Sequence, residues 1–330
     1  MIFRTSVDIA PSENRIHHLS KIMMIGSCFT GYIGERLQTL KYNVEINPTG
    51  IVFNPVSAAN CLDFLLDGKR FNKNDIEYFN ERWLSLYHHG NFSDPDPDIC
   101  LRNINHRLEH SSEFLKDSDF LFITFGTAWI FEEKKTGVVV SNCHKKPAGL
   151  FSRKLLTPVE ISDMYVSLIK RIHGVNSKLN FIFTVSPIRH LKDGARQNQL
   201  SKSTLIVAID RIICSLEQSK IYTGYFPSYE IMMDDLRDYR FYAEDMVHPS
   251  YSAIEYIWEQ FEGAYIDKSS AELNRELDRI NNAKGHVPVN PASEGYRQFA
   301  KDNLEKLRSM QRKYEFLDLE EEIKFFRKRI

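Results

Sequence analysis

Short apolar runs of strand length alternate along this chain with segments whose apolar residues recur every three or four positions. Lys21-Ile22-Met23-Met24-Ile25, Phe120–Phe125 and Asn180–Val185 are the runs. Their unbroken apolarity predicts strands buried on both faces. Between them, Pro158–Ile172 reads as a helix with a Thr157 cap and proline at its first position. Leu205, Ile209, Ile212, Ile213 and Leu216 mark another helix within Leu200–Leu216, and Tyr251–Phe261 has the same character. The alternation predicts an α/β protein with a mostly parallel sheet and helices on both faces. Ligands of such sheets sit at the carboxyl ends of the strands, where Gly26-Ser27, Gly126-Thr127 and Ser186-Pro187 would fall.

The pattern weakens between about 61 and 119, which reads as an irregular insertion. Asp94-Pro95-Asp96-Pro97-Asp98 is a turn signal, followed by a helix near Asn103–Leu115. After Phe261 the chain becomes charge-rich. Ser270–Asn281 and Glu294–Arg329 carry apolar residues at helical spacing (Leu304, Leu307, Tyr314, Leu317 and Phe325), and Gly285–Pro291 links them. The expected organisation is a domain over 1–265 and a charged helical C-terminal extension over 266–330. The extension packs back on the domain or, as a homodimer interface, on a second copy.

Composition adds mainly exclusions. With 330 residues, 42% hydrophobic and 26% charged, the chain is of ordinary globular type and long enough to bury a large core. A net charge of −1 gives no reason to expect nucleic acid or an anionic membrane as partner. The five cysteines, Cys28, Cys61, Cys100, Cys143 and Cys214, show neither metal-ligand spacing nor a disulfide framework, and no cofactor is expected. The stretch Met1–Asp8 lacks a basic region followed by an apolar one, and no run approaches a membrane span, so the expectation is a cytoplasmic protein.

The chemistry concentrates at Ser27 and, far downstream, at Asp245 and His248 in Asp245-Met246-Val247-His248-Pro249-Ser250. Serine attacks an acyl group only when a base removes its proton, and a carboxylate fixes the tautomer of that base. The three-residue spacing lets Asp245 and His248 project from one turn. Taken singly, Ser27 also reads as a helix N-cap, and Asp245 as a cap beside an exposed histidine. Cys28 is a rival nucleophile, although one residue past the turn a buried structural thiol is the simpler role. Gly50 and Gly126 sit where a glycine lets a backbone N–H approach a ligand, or where a tight turn needs one. Asn142 and His144 offer further polar groups. Arg189 and His190 follow the third strand, where Arg189 holds an anionic substrate or a structural ion pair.

Gly26-Ser27-Cys28-Phe29-Thr30 resembles the signature of the GSCFA-domain family of bacterial proteins. Asn47–Pro55, Phe125–Trp129, Asn142–Lys145, Ser186–Ser201 and Tyr239–Ser250 are similar to further family stretches, so the resemblance spans roughly Ile22 to Phe261. The family is similar to SGNH (GDSL-like) hydrolases, which implies a three-layer α/β/α sandwich and esterase or acyltransferase chemistry. By that resemblance Ser27 is the nucleophile, His248 the general base, Asp245 its orienting carboxylate and Gly50 an oxyanion glycine. The third block departs: Gly126-Thr127-Ala128-Trp129 stands where Gly-x-Asn-Asp is usual, so Ala128 replaces an oxyanion asparagine. Losing one such donor costs about 3 kcal/mol of transition-state stabilisation. Thr127, Asn142 or His144 would have to replace it.

The leading expectation is a serine esterase, O-acetyl esterase or acyltransferase acting on a small ester or acylated carbohydrate, with Asn142, His144, Arg189 and His190 contacting substrate. The departure at Ala128 motivates an alternative, a non-catalytic protein that keeps the pocket for an anionic or sugar ligand. Metal-dependent hydrolysis through His88, His89, His144 and His190 is a third reading, without recognised ligand spacing.

Overall fold

The computed structural model describes residues 5–330; Met1–Arg4, part of the N-terminal stretch discussed above, lie outside the described residues. The strands in chain order are β1 (Lys21–Gly26), β2 (Asn43–Ile46), β3 (Glu77–Phe79), β4 (Arg82–Leu84), β5 (Phe120–Phe125), β6 (Trp129–Glu133), β7 (Val139–Val140), β8 (Phe151–Leu155), β9 (Asn180–Val185) and β10 (Thr223–Phe226). The helices are α1 (Cys28–Thr39), α2 (Pro55–Leu66), α3 (Pro97–Lys116), α4 (Pro158–Val175), α5 (Ala195–Leu216), the single turn α6 (Ser228–Glu230), α7 (Tyr251–Tyr265), α8 (Lys268–Gly285), α9 (Glu294–Lys313) and α10 (Glu320–Arg327).

Five strands form one parallel sheet in the order β10-β9-β5-β1-β2. The three apolar runs of the sequence are its centre, and β5 is buried at every position. Register aligns Gly26 with Thr124 and Thr124 with Thr184, so the carboxyl ends of β1, β5 and β9 lie level. Side chains alternate between faces. Met23, Ile25, Leu121, Ile123, Phe181 and Phe183 pack with α2, α3, α4 and α5. Ile22, Met24, Phe120, Phe122 and Ile182 face α1, α7 and the C-terminal helices. This is the expected three-layer α/β/α sandwich with a mostly parallel sheet.

The sequence pattern missed both edge strands. Each has four residues, and only one residue of each is buried, so neither shows the apolar run of a central strand. The interval from 61 to 119 is also more regular than expected. Cys61 lies inside α2, while Cys100, Ile104, Leu108 and Leu115 of α3 belong to the main core. The expected helix therefore begins earlier, at Pro97, where Asp96 accepts the amides of Asp98 and Ile99. The anticipated Thr157 cap is present: its hydroxyl accepts the Glu160 amide at 3.2 Å and the Glu160 carboxylate accepts the Thr157 amide at 2.7 Å.

Glu294–Arg329 is two helices rather than one, broken around Leu317 and Leu319. Both leucines, with Leu307 and Phe326, enter the same core cluster as Met24 and Phe122. The apolar stripe of the extension is thus covered by the protein's own sheet layer. Among the described residues no helix is long and apolar enough to cross a membrane.

Candidate active site

Ser27 sits where β1 turns into α1. Gly26 permits the turn: its φ is +148°, and a Cβ there would lie 2.3 Å from the Thr124 carbonyl oxygen. Ser27 is the residue before the first turn of α1, yet its side chain makes no capping hydrogen bond. It is 1% exposed and its Oγ has no hydrogen-bond partner among the described residues. A buried hydroxyl without a partner costs about 1–3 kcal/mol, so a helix cap does not explain this serine. The amides of Cys28 and Phe29, at the N-terminus of α1, have no intrahelical acceptor. Cys28 itself is half-buried, and burial pushes its thiol pKa up, away from the thiolate a nucleophile needs.

Asp245 and His248 come together in a closed loop. Ala243 donates its amide to the His248 carbonyl at 2.8 Å, Ser250 donates to Phe241 at 2.8 Å, and Tyr242 bridges Pro249. Met246 takes φ +56° to complete the turn. One Asp245 oxygen accepts the amides of Val247 and His248, both at 2.9 Å, and the other pairs with His248 Nδ1 at 2.5 Å. The His248 amide and imidazole, then the Val247 amide, hold the Asp245 carboxyl down at about 2. Ionised Asp245 can only accept, so the neutral imidazole donates from Nδ1 and keeps Nε2 as acceptor. No hydrogen bond joins His248 to Ser27. The loop does reach α1 electrostatically, since Asp245 and Cys28 both act on Tyr32.

The expected oxyanion donors need correction. Gly50 has φ +84° and presses on His89, 2.2 Å from where a Cβ would stand, but its amide donates to the Asn47 carbonyl at 2.8 Å. Asn47 in turn accepts the Gly26 amide through Oδ1 at 2.8 Å, which laces this loop to the end of β1. The Thr127 amide donates to the Phe53 carbonyl at 2.9 Å, alongside that of Gly126 at 2.7 Å. The Thr127 hydroxyl lies 3.0 Å from Ser201 Oγ and accepts the Trp129 amide. Ala128 is fully buried, with its amide held by Ser201 Oγ at 2.8 Å. Gly50 and Thr127 are therefore already hydrogen-bonded locally, and neither presents an unpaired backbone donor.

Asn142 and His144 brace their own loop. Asn142 Oδ1 accepts the His144 amide at 2.8 Å, and His144 Nε2 donates to the Ser85 carbonyl at 2.9 Å. Burial lowers the His144 pKa. His88, beside it, is fully buried and held near 3 by desolvation. Among the described residues no group of three His, Cys, Asp or Glu could hold a metal ion.

Arg189 and His190 fall elsewhere, next to the Asp245–His248 loop. His190 feels His248 electrostatically and packs edge-on against Phe53, with Nε2 3.3 Å from where a Gly126 Cβ would be. Burial, then Lys202, lowers its pKa to about 4. Arg189 acts on the phenols of Tyr229 and Tyr242, and Tyr242 belongs to the base of the His248 loop. Sequence reasoning missed Asn47, Asn198, Ser201 and Lys202. The last three lie on one face of α5, at i, i+3 and i+4, a spacing the sequence did display.

The sequence matches the profile of the GSCFA family over residues 21–261 and that of the GSCFA domain protein C-terminal domain over 277–330. The chain belongs to the GSCFA family. No curated protein sequence matches this GSCFA protein. Among solved structures it is similar to a family two carbohydrate esterase from Clostridium thermocellum in complex with cellohexaose, at 12% identity, covering 82% of this chain and 67% of that one, with a TM-score of 0.36. A carbohydrate esterase family 2 enzyme from Corynascus thermopiles is 13% identical, with 82% and 68% covered and a TM-score of 0.38. An acetyl xylan esterase from Butyrivibrio proteoclasticus is 12% identical, with 83% and 66% covered and a TM-score of 0.35.

Proposed function

We propose that this GSCFA protein is a serine esterase of the SGNH type, acting on a small ester or an acylated carbohydrate. Ser27 is the nucleophile, His248 the general base and Asp245 its orienting carboxylate. The observation that carries the reading is the Ser27 hydroxyl: buried, unpartnered and not capping its helix, in a chain that also sets Asp245 and His248 in tautomer-fixing contact.

In this mechanism His248 Nε2 takes the Ser27 proton as Oγ attacks the ester carbonyl. Catalytic hydrogen bonds of this kind often tighten only when substrate arrives. The tetrahedral oxyanion faces the unpaired amides and positive end of α1, which replace the donors expected of Gly50, Thr127 and an asparagine at position 128. His248 then returns the proton to the leaving alcohol. Water completes hydrolysis, and an acceptor hydroxyl in its place gives acyl transfer. Arg189 and His190 contact the part of the substrate nearest the His248 loop, and Asn142 and His144 contact it from their own loop.

A fluorophosphonate probe with intact-mass readout tests the assignment. One adduct is expected on the wild type and on Cys28→Ala, and none on Ser27→Ala or His248→Ala. An adduct that persists on Ser27→Ala, or no adduct on folded wild type, counts against it.

A further inference from the structure

The carboxyl end of β9 gathers two basic side chains and buried N–H donors that lack acceptors. Lys202, on α5, is fully buried. Its Nζ donates to the Ser186 carbonyl at 2.6 Å and stands 5.3 Å from the centre of the Tyr229 ring. Lys202 forms no ion pair among the described residues, which is rare for a buried lysine. Burial, then the positive charge of Arg189 at the strand end, lowers the Lys202 pKa to about 7. The Arg189 Nε is buried and unpaired.

The nearby carboxylates have other partners. Glu230 acts on Lys202 but accepts the Tyr225 hydroxyl at 2.8 Å and 2.9 Å. Asp193 pairs with Arg153. A third donor is also vacant: Asn198 is 1% exposed, its Oδ1 accepts the His190 amide at 2.8 Å, and its Nδ2 has no partner. Asn198 and Lys202 are one helical turn apart on the face of α5 that meets the strand ends. Two buried N–H donors, Arg189 Nε and Asn198 Nδ2, thus lack an acceptor beside a lysine whose charge a bound anion would stabilise.

We infer that Arg189, Asn198 and Lys202 form a pocket for a carboxylate of the substrate, so that the ester this protein acts on is acidic, of the O-acylated uronate class. The substrate identity rests on the esterase reading above; the anion pocket does not. The two vacant N–H donors match the two oxygens of a carboxylate. Arg189 supplies the forked contact, Asn198 a neutral donor, and Lys202 the charge behind them. The pocket adjoins the His248 loop through Tyr242 and through the electrostatic coupling of His190 to His248. An acid group held there places a neighbouring ester near the base.

The test separates binding from turnover. Glucuronate is expected to raise the Tm of wild type and of Ser27→Ala, with glucose inert and inorganic phosphate weaker. Arg189→Gln is expected to lose that shift. Lys202→Met should also lose it while raising the Tm of the unliganded protein, because a desolvated lysine without an ion-pair partner is removed. In turnover, the ratio of kcat/KM for O-acetylglucuronate to that for O-acetylglucose should fall at least about tenfold in Arg189→Gln. A glucuronate shift retained in Arg189→Gln, or equal shifts by glucose and glucuronate, overturns the pocket. A stronger shift with phosphate overturns the carboxylate assignment. A glucuronate shift without turnover of any ester leaves the pocket standing and removes the esterase reading. Turnover without anion preference does the reverse.

Discussion

Asp245 holds His248 twice, through the imidazole Nδ1 at 2.5 Å and through the His248 amide at 2.9 Å. The double contact fixes both the ring's tautomer and the backbone that carries it. Asp245→Asn keeps the shape but allows the wrong tautomer, so kcat is expected to drop by roughly 10³–10⁴-fold with little change in KM. Ser27→Ala and His248→Ala are expected to abolish turnover with unchanged circular dichroism. Steady-state kinetics on an ester substrate reads all three, and a fully active Asp245→Asn would remove the carboxylate from the mechanism.

Gly26 sets the position of Ser27. An alanine Cβ would fall 2.3 Å from the Thr124 carbonyl in a backbone conformation that L-residues avoid. Gly26→Ala is expected to cost roughly 2–5 kcal/mol, by adding backbone strain to overpacking at the β1–β5 contact. Urea unfolding monitored by fluorescence measures it. Wild-type stability in that variant would show that the two strands part easily here.

Acid should destabilise the protein well before its carboxylates protonate. His18 and His190 are held down to about 4 and His88 to about 3, each chiefly by burial. The unfolded chain binds these protons near the ordinary histidine value, so stability is complete above about 6.5 and falls as pH drops toward the folded values. By pH 5 each histidine withdraws on the order of 2 kcal/mol. Tm is expected to fall steeply between pH 7 and 5, and less steeply in His18→Gln. A flat Tm over that interval would refute the burial argument.

Leu319 is fully buried in the break between α9 and α10 and joins the core cluster that contains Met24 and Phe122. Leu319→Ala is expected to cost about 2–5 kcal/mol for lost transfer energy and the cavity left behind. The loss should appear as a lower urea midpoint in a single transition. Separate transitions for the C-terminal helices and the sheet domain would show that the cluster does not fold as one unit.

The central strands were legible because β1, β5 and β9 are buried on both faces, and only continuous apolar sequence can fill such positions. Edge strands β2 and β10 carry no such run, having one covered flank, and the start of α3 was missed because its capping Asp96 sits among prolines that read as a turn. Ser27, Asp245 and His248 were singled out by residue type and spacing. That Ser27 does not cap α1 was not legible, since Ser27 at a strand–helix junction is compatible with either role until its hydroxyl is placed.

The sequence by itself determined the central strands, the helices between them and the local Asp245–His248 turn, because each is written in residues a few positions apart. Tertiary structure alone decided what those residues face. It tied the amides of Gly50 and Thr127 to Asn47 and Phe53, and it gathered Arg189, Asn198 and Lys202 at one strand end with two buried donors unpaired. Hydrogen-bond partners and charge balance in a buried site are set by segments distant in the chain, and no local pattern encodes them.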